Sequence, residues 1–220
     1  MVNNTPIILL SGMATDERLF ESQLAAFPNL RVQPWIKPKG DESLRAYAIR
    51  LAKECNPNRP CIVGGASFGG IVALEMAHHL PAQACILIGS IRSPASLSRK
   101  WRLLRPFGRF GPDVLQAIAV VCAKLGPHFL SPGTVRKLHR LSLPEAAFVR
   151  WAMCAIMRWQ PSNGTKQSPT FHIHGSADNV FPVSQCHPDV VVNHGAHALA
   201  LFNASAVNGF IAKVLQAVSN

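Results

Sequence analysis

Apolar residues come in short continuous blocks, separated by polar stretches rich in proline and glycine. This pattern predicts strands covered on both faces alternating with helices. Pro6-Ile7-Ile8-Leu9-Leu10 is the first block, and Ser11-Gly12-Met13-Ala14 turns the chain after it. A helix is predicted from Thr15 or Asp16, both suited to an N-cap, carrying Leu19, Phe20, Leu24 and Phe27 toward the sheet until Pro28. Leu30 to Ile36 predicts a second strand, and Pro34, which cannot donate to a ladder, assigns it to an edge. Asp41-Glu42-Ser43 opens a helix to about Cys55 with Leu44, Tyr47, Ala48 and Leu51 as its inner stripe. Pro60 to Gly64 predicts a third strand, Ile71 to Leu80 a helix ended by Pro81, and Ala84 to Ile88 a fourth strand closing at Gly89-Ser90.

Alternating strands and helices indicate a parallel, doubly wound α/β sheet. The alternation then stops. Arg92 to Pro161 contains no strand-like run but several helical ones, broken at Pro106, Gly111-Pro112, Gly126-Pro127 and Pro132-Gly133. We read residues 91–161 as a helical cap inserted into a core made of residues 1–90 and 162–220. In the cap's last helix Ser142 and Glu145 stand at reciprocal capping positions, and Phe148, Trp151, Ala152, Ala155 and Trp159 share one face. Beyond the cap, Pro169 to His174 and Asp189 to Val192 predict two more strands. His194-Gly195-Ala196-His197 is a loop, and Ser205 to Val218 a closing helix.

Composition narrows the class. With 220 residues and 48% apolar content the chain suits one domain with a sizeable core. Its longest apolar run, Val114 to Leu125, is too short for a membrane span and contains Gln116 and Lys124. The first six residues show no export signal, so a cytoplasmic location is expected. Six cysteines stand singly, with no C-x-x-C pair, and read as reduced core residues. The net charge of +11 is unevenly spread, because residues 91–160 hold twelve Lys or Arg against Asp113 and Glu145. Such localisation suggests an acidic partner or anionic surface at the cap, whereas a nucleic-acid binder would spread its charge further.

The chemistry centres on Val63-Gly64-Gly65-Ala66-Ser67-Phe68-Gly69-Gly70, a strand that runs through glycines and one serine into a helix. Gly65 to Gly69 reads G-x-S-x-G in a strand-turn-helix context, which makes Ser67 a candidate nucleophile. The helix amides behind it favour negative charge, and the Phe68 N–H is placed to contact a developing oxyanion. A serine nucleophile also needs a base and a carboxylate that orients the base. Asp178 and His197 each follow a predicted strand end, in the chain order Ser, Asp, His. His197 is chosen over His194 because Gly195-Ala196 lets the chain turn, and Ala198 to Leu201 can anchor the loop.

Across the whole core the sequence resembles the α/β-hydrolase family. Leu9 to Met13 is similar to that family's first oxyanion loop, Gly65 to Gly69 to its nucleophile elbow, His174 to Pro182 to its acid loop and Gly195 to His197 to its histidine loop. The resemblance implies a catalytic triad of Ser67, Asp178 and His197, with Met13 supplying the second oxyanion N–H beside Phe68. The sequence departs from the family pattern at Ser11, where many members have histidine, and in lacking two N-terminal strands. About six mostly parallel strands are therefore expected. The implied activity is cofactor-free hydrolysis of a carboxylic ester, with thioesters and carrier-bound acyl esters among the candidates. Trp151 and Trp159 are candidates to line an apolar substrate pocket, and Arg102 and Arg105 to receive an anionic substrate or carrier. Two alternatives stay open: a non-hydrolytic relative such as an acyltransferase or lyase, and a binding protein whose basic cap docks an acidic partner. His172 and His174 share a strand face and with Asp178 could imitate a metal cluster, but the other ligands of an open metal site are missing, and no metal is assigned.

Overall fold

In this computed structural model the described residues are 4–13, 15–97, 146–162 and 168–219. Most of the segment expected to form the cap, including Arg102, Arg105 and the capping pair Ser142 and Glu145, lies outside them. Six strands form one sheet in the order β2-β1-β3-β4-β5-β6. They are β1 (Ile7–Leu10), β2 (Leu30–Val32), β3 (Cys61–Ala66), β4 (Ala82–Ile88), β5 (Thr170–Gly175) and β6 (Val190–Val192). All five ladders are parallel.

Period-2 alternation explains how continuous apolar blocks serve two faces. In β1, Ile8 and Leu10 pack with Val63, Cys85 and Leu87 under α2 (Leu44–Cys55) and α3 (Phe68–Ala77). Ile7 and Leu9 pack instead with Ile62, Ile86, Ile88 and Ile173 under α6 (Ala204–Ala217). None of the four β1 side chains is exposed to solvent. Fully burying an aliphatic side chain is worth about 1.5–3 kcal/mol, so this four-residue strand is held mainly by packing.

Several boundaries differ from expectation. The first helix opens as a single 3-10 turn, Glu17–Phe20, capped by the Asp16 carboxylate, and continues as α1 (Glu21–Ala26). Leu19 and Phe20 face the core, but Leu24 is 37% exposed, because the switch in helix type rotates it off the inner stripe. The edge strand β2 stops at Val32, two residues before Pro34. Ser43 caps α2 by accepting the Ala46 N–H, and the expected inner stripe of this helix is buried. α3 begins at Phe68, immediately after Ser67, and ends at Ala77, with a turn leading to Pro81. α4 (Ala146–Arg158) packs on α2, and a short helix not foreseen from the sequence, α5 (Leu199–Phe202), precedes α6. No helix among the described residues is long and apolar enough to cross a membrane.

The strand order places the site. After β1 the chain adds β2 on one side and then β3 on the other, so the crevice at the carboxyl ends of β1 and β3 is a topological switch point. Leu10 pairs with Gly65 there, which brings the loop after β1 alongside the turn after β3.

Candidate active site

Ser67 occupies that turn with φ 52° and ψ −122°. A positive φ on a residue with a side chain costs about 1–3 kcal/mol and persists only where surrounding structure imposes it. Here the imposing contacts are visible. The Ser67 N–H donates to the Ile88 carbonyl at 3.0 Å, while its own carbonyl accepts from the Gly70 N–H at 3.1 Å and the Ser90 hydroxyl at 2.7 Å. A Cβ on Gly65 would lie 2.6 Å from the Gly69 carbonyl oxygen, and one on Gly69 would overlap the carbonyls of Leu10 and Ser11. Strand, turn and helix can approach this closely only with glycine at both positions.

His197 reaches the serine from the loop after β6. Its Nε2 lies 2.9 Å from Ser67 Oγ, and its Nδ1 lies 2.8 Å from Asp178 Oδ2. A carboxylate can only accept, so Nδ1 carries the proton and the Nε2 lone pair faces the serine hydroxyl. The ring makes an edge-to-face contact with Phe181 at 5.5 Å, and the His197 backbone carbonyl accepts the Leu199 N–H that starts α5.

Asp178 follows β5 and its side chain is fully buried. Oδ1 accepts the Val180 and Phe181 N–H groups at 2.8 and 2.9 Å. Oδ2 takes His197 and, on its other side, His174 Nε2 at 3.2 Å. Burial alone would raise its pKa, but hydrogen bonds from His174 and His197 hold the carboxyl well below the usual carboxylate range. The acid is therefore ionised and immobilised.

Of the other residues singled out in the sequence, Phe68 is buried as the first residue of α3, where a helix leaves its N–H without an intrahelical acceptor. Met13 is half-buried against the core, directly after Gly12, where an added Cβ would lie 3.8 Å from that of Ser67. Trp151 joins an aromatic cluster in the core, with ring-centre distances of 6.0 Å to Phe68 and 4.3 Å to Tyr47. Trp159 lies elsewhere. It is buried, its indole N–H donates to Glu75 Oε1 at 2.8 Å, and it lines a separate cleft with Leu74, His78 and Arg92 that does not include Ser67.

Two contributors, Trp35 and Ser90, were given no role in the site from the sequence. Trp35, in the loop after β2, lies 5.5 Å from Phe68 and 5.1 Å from Phe148, completing the aromatic cluster. No periodicity marks a residue in such a loop. Ser90 is fully buried and secures the serine turn from β4, and its position at a strand's carboxyl end beside Gly89 was the available signal. His172 and His174 are buried and bonded to each other, Nε2 to Nδ1, at 3.0 Å.

No family model and no curated protein matches the sequence. Solved structures do match by shape. A thermophilic esterase from Thermogutta terrifontis is 20% identical, with a TM-score of 0.70 over 98% of this chain and 91% of its own. The enol-lactonase from Burkholderia xenovorans LB400 is 16% identical, with a TM-score of 0.64 over 96% and 92%. The RedJ thioesterase from the prodiginine biosynthetic pathway in Streptomyces coelicolor is 13% identical, with a TM-score of 0.58 over 97% and 90%. Likeness at such identities establishes architecture, and with the parallel sheet and its switch point it leads to one assignment: the chain has the α/β-hydrolase fold.

Proposed function

We propose that the protein is a serine hydrolase that cleaves a carboxylic ester through an acyl-Ser67 intermediate. The observation that supports this reading is the unbroken hydrogen-bonded line from Ser67 Oγ through His197 to the buried Asp178 carboxylate. In the forward step His197 Nε2 takes the hydroxyl proton as Ser67 Oγ bonds to the ester carbonyl carbon. The negative charge moves to the carbonyl oxygen, facing the N–H groups of Phe68 and Met13. Collapse of this intermediate breaks the bond to the leaving group, which takes the proton from Nε2. Water then repeats the sequence on the acyl-serine and releases the acid. Asp178 keeps Nδ1 protonated throughout and stabilises the charged ring. Structural neighbours carrying the names esterase, enol-lactonase and thioesterase support an ester-type bond as the target.

Trp35 and Trp151, the partly buried members of the aromatic cluster around Phe68 and Phe148, favour an apolar acyl group. The basic segment 91–160, with Arg102 and Arg105, favours an anionic substrate or an acidic carrier presenting the acyl chain.

The deciding experiment is covalent labelling with a fluorophosphonate probe. Labelling of the wild-type protein at Ser67, absent in a folded Ser67→Ala variant that has also lost ester turnover by several powers of ten, is the expected result. Turnover retained in Ser67→Ala would overturn the mechanism. Acyl transfer to an added alcohol in preference to water would instead favour an acyltransferase.

A further inference from the structure

Behind Asp178 the hydrogen-bonded line continues away from the serine. His174 Nε2 faces two acceptors, the Phe181 carbonyl at 2.7 Å and Asp178 Oδ2 at 3.2 Å, so this nitrogen must carry a proton. His174 Nδ1 meets His172 Nε2 at 3.0 Å, and neither ring is exposed to solvent. The His172 backbone N–H is tied to Asp189 Oδ2 at 2.6 Å, and the same oxygen takes Arg92 at 2.7 Å. Asp178 Oδ2 thus sits between two imidazoles, one leading to Ser67 and one leading into the core.

We propose that His174 is a positioning residue for the triad acid, clamping the same carboxylate oxygen that orients His197 and supplying it with a buried positive charge. This rests on the serine-hydrolase reading above. His174 meets Asp178, the Cys186 thiol and His172; beyond these lie His197 on Asp178, and Arg92 and Asp189 near His172. Burial opposes a charge on His174, yet its bonds to Asp178, Cys186 and the Phe181 carbonyl push it up to about 10. Burial and the neighbouring His174 push His172 down to about 3, leaving it as the neutral acceptor of the Nδ1 proton.

The charge has a kinetic consequence. A carboxylate shared with an imidazolium favours the doubly protonated ring of His197 less than a carboxylate facing it alone. Removing the His174 charge should therefore make protonation of the general base easier and move the acid limb of the pH profile upward.

The test compares His174→Gln, whose side-chain amide can still donate to Asp178 Oδ2, with His174→Leu, which cannot. Rates are read for p-nitrophenyl acetate hydrolysis and for fluorophosphonate labelling between pH 5 and 9. Both variants should show the acid limb displaced upward by about one pH unit. Turnover should fall about tenfold or more in His174→Leu with KM little changed, and should be largely restored in His174→Gln. An unmoved limb in both variants, or equal losses in Gln and Leu that track thermal stability, would reduce His174 to a packing residue and overturn the proposal. An independent readout uses 15N spectra of His174 in Ser67→Ala protein. Both ring nitrogens protonated at pH 8 support the clamp, and a neutral ring overturns it. If the wild-type protein fails to label, the serine-hydrolase reading falls, while the spectra still decide the state of the His174–Asp178 pair.

Discussion

At the scale of single residues, two histidines three positions apart have opposite surroundings. His197 lies between Asp178 and Ser67, whereas His194 is exposed, at φ 55°, with its backbone N–H donating to Ser176 Oγ at 2.8 Å. Replacing His197 by Ala should lower ester turnover by several powers of ten. His194→Asn, which tolerates the left-handed backbone, should leave turnover within about twofold. Comparing kcat/KM for the two folded variants checks this, and the reverse order would assign the base to His194. The buried trio behind the site also sets the pH range of stability. His174, raised to about 10, contributes stability that is complete below its unfolded value of 6.5 and lost as pH climbs toward 10. His172, lowered to about 3, refuses a proton that the unfolded chain accepts, so its contribution declines as pH falls below 6.5. Asp178, held below the ordinary carboxylate range, withdraws its share as pH drops below 3.8. These three groups together place the optimum near pH 6.5, with at most about 1.4 kcal/mol lost per pH unit and per proton on either side. Urea midpoints at pH 5, 6.5 and 9 should show that maximum, and His174→Gln should flatten the alkaline side.

At the scale of elements, the two ends of α3 have different tasks. Its N-terminus backs Ser67. Roughly 10 Å along the axis, Glu75 ties the helix to the segment that follows α4. Glu75 is 2% exposed and accepts from the Trp159 indole N–H at 2.8 Å, the Ser162 backbone N–H at 3.2 Å and the Ser162 hydroxyl. Glu75→Ala would leave these donors without their acceptor. The expected cost is about 3 kcal/mol, or a thermal midpoint lower by roughly 6–12 °C. Turnover per folded molecule should be nearly unchanged, and a calorimetric scan paired with active-site titration separates the two effects. This anchor was not legible in the sequence, because a lone Glu on an apolar helix carries no sign of its partner 84 residues away. The elements that could be read in advance are those specified by local chemistry. Ser43 and the stripe Leu44, Tyr47, Ala48 and Leu51 define α2, and the glycines at 65 and 69 define the serine turn. Boundaries fixed by tertiary contact were less legible. β2 ends at Val32 because Tyr47 exchanges hydrogen bonds with both backbone groups of Ile36, drawing that residue and Trp35 toward α2 and α4. Ser67, Asp178 and His197 were recognisable because each follows a strand end with glycine nearby. Trp35 acquires its position only when separate segments converge, and the His172–His174 pair, legible as one strand face, meets Asp178 and the Phe181 carbonyl only through the loop after β5.

For the whole molecule, charge divides unevenly along the chain. Outside residues 91–160 the ten Lys and Arg nearly balance nine acids, so the core contributes little net field of its own. The twelve basic residues of the intervening segment include Arg99, Lys100, Arg102, Arg105 and Arg109 within eleven positions, with no acid among them. A field concentrated in this way attracts anions over about 10 Å at moderate ionic strength and raises association rates far more than bound-state affinity. If the segment steers an anionic ester or an acidic carrier toward Ser67, its effect belongs in kcat/KM and must diminish with salt. Changing Arg102, Arg105 and Arg109 together to Glu should then lower kcat/KM about tenfold or more for a negatively charged ester at low ionic strength. The value for a neutral ester of the same acyl length should stay unchanged, because a neutral ester offers no charge for the three arginines to attract. Raising the salt should bring the two substrates together, as screening removes the advantage of the wild-type protein. Equal losses for both esters would point to general damage to the fold, and equal retention would make the basic segment a determinant of solubility alone.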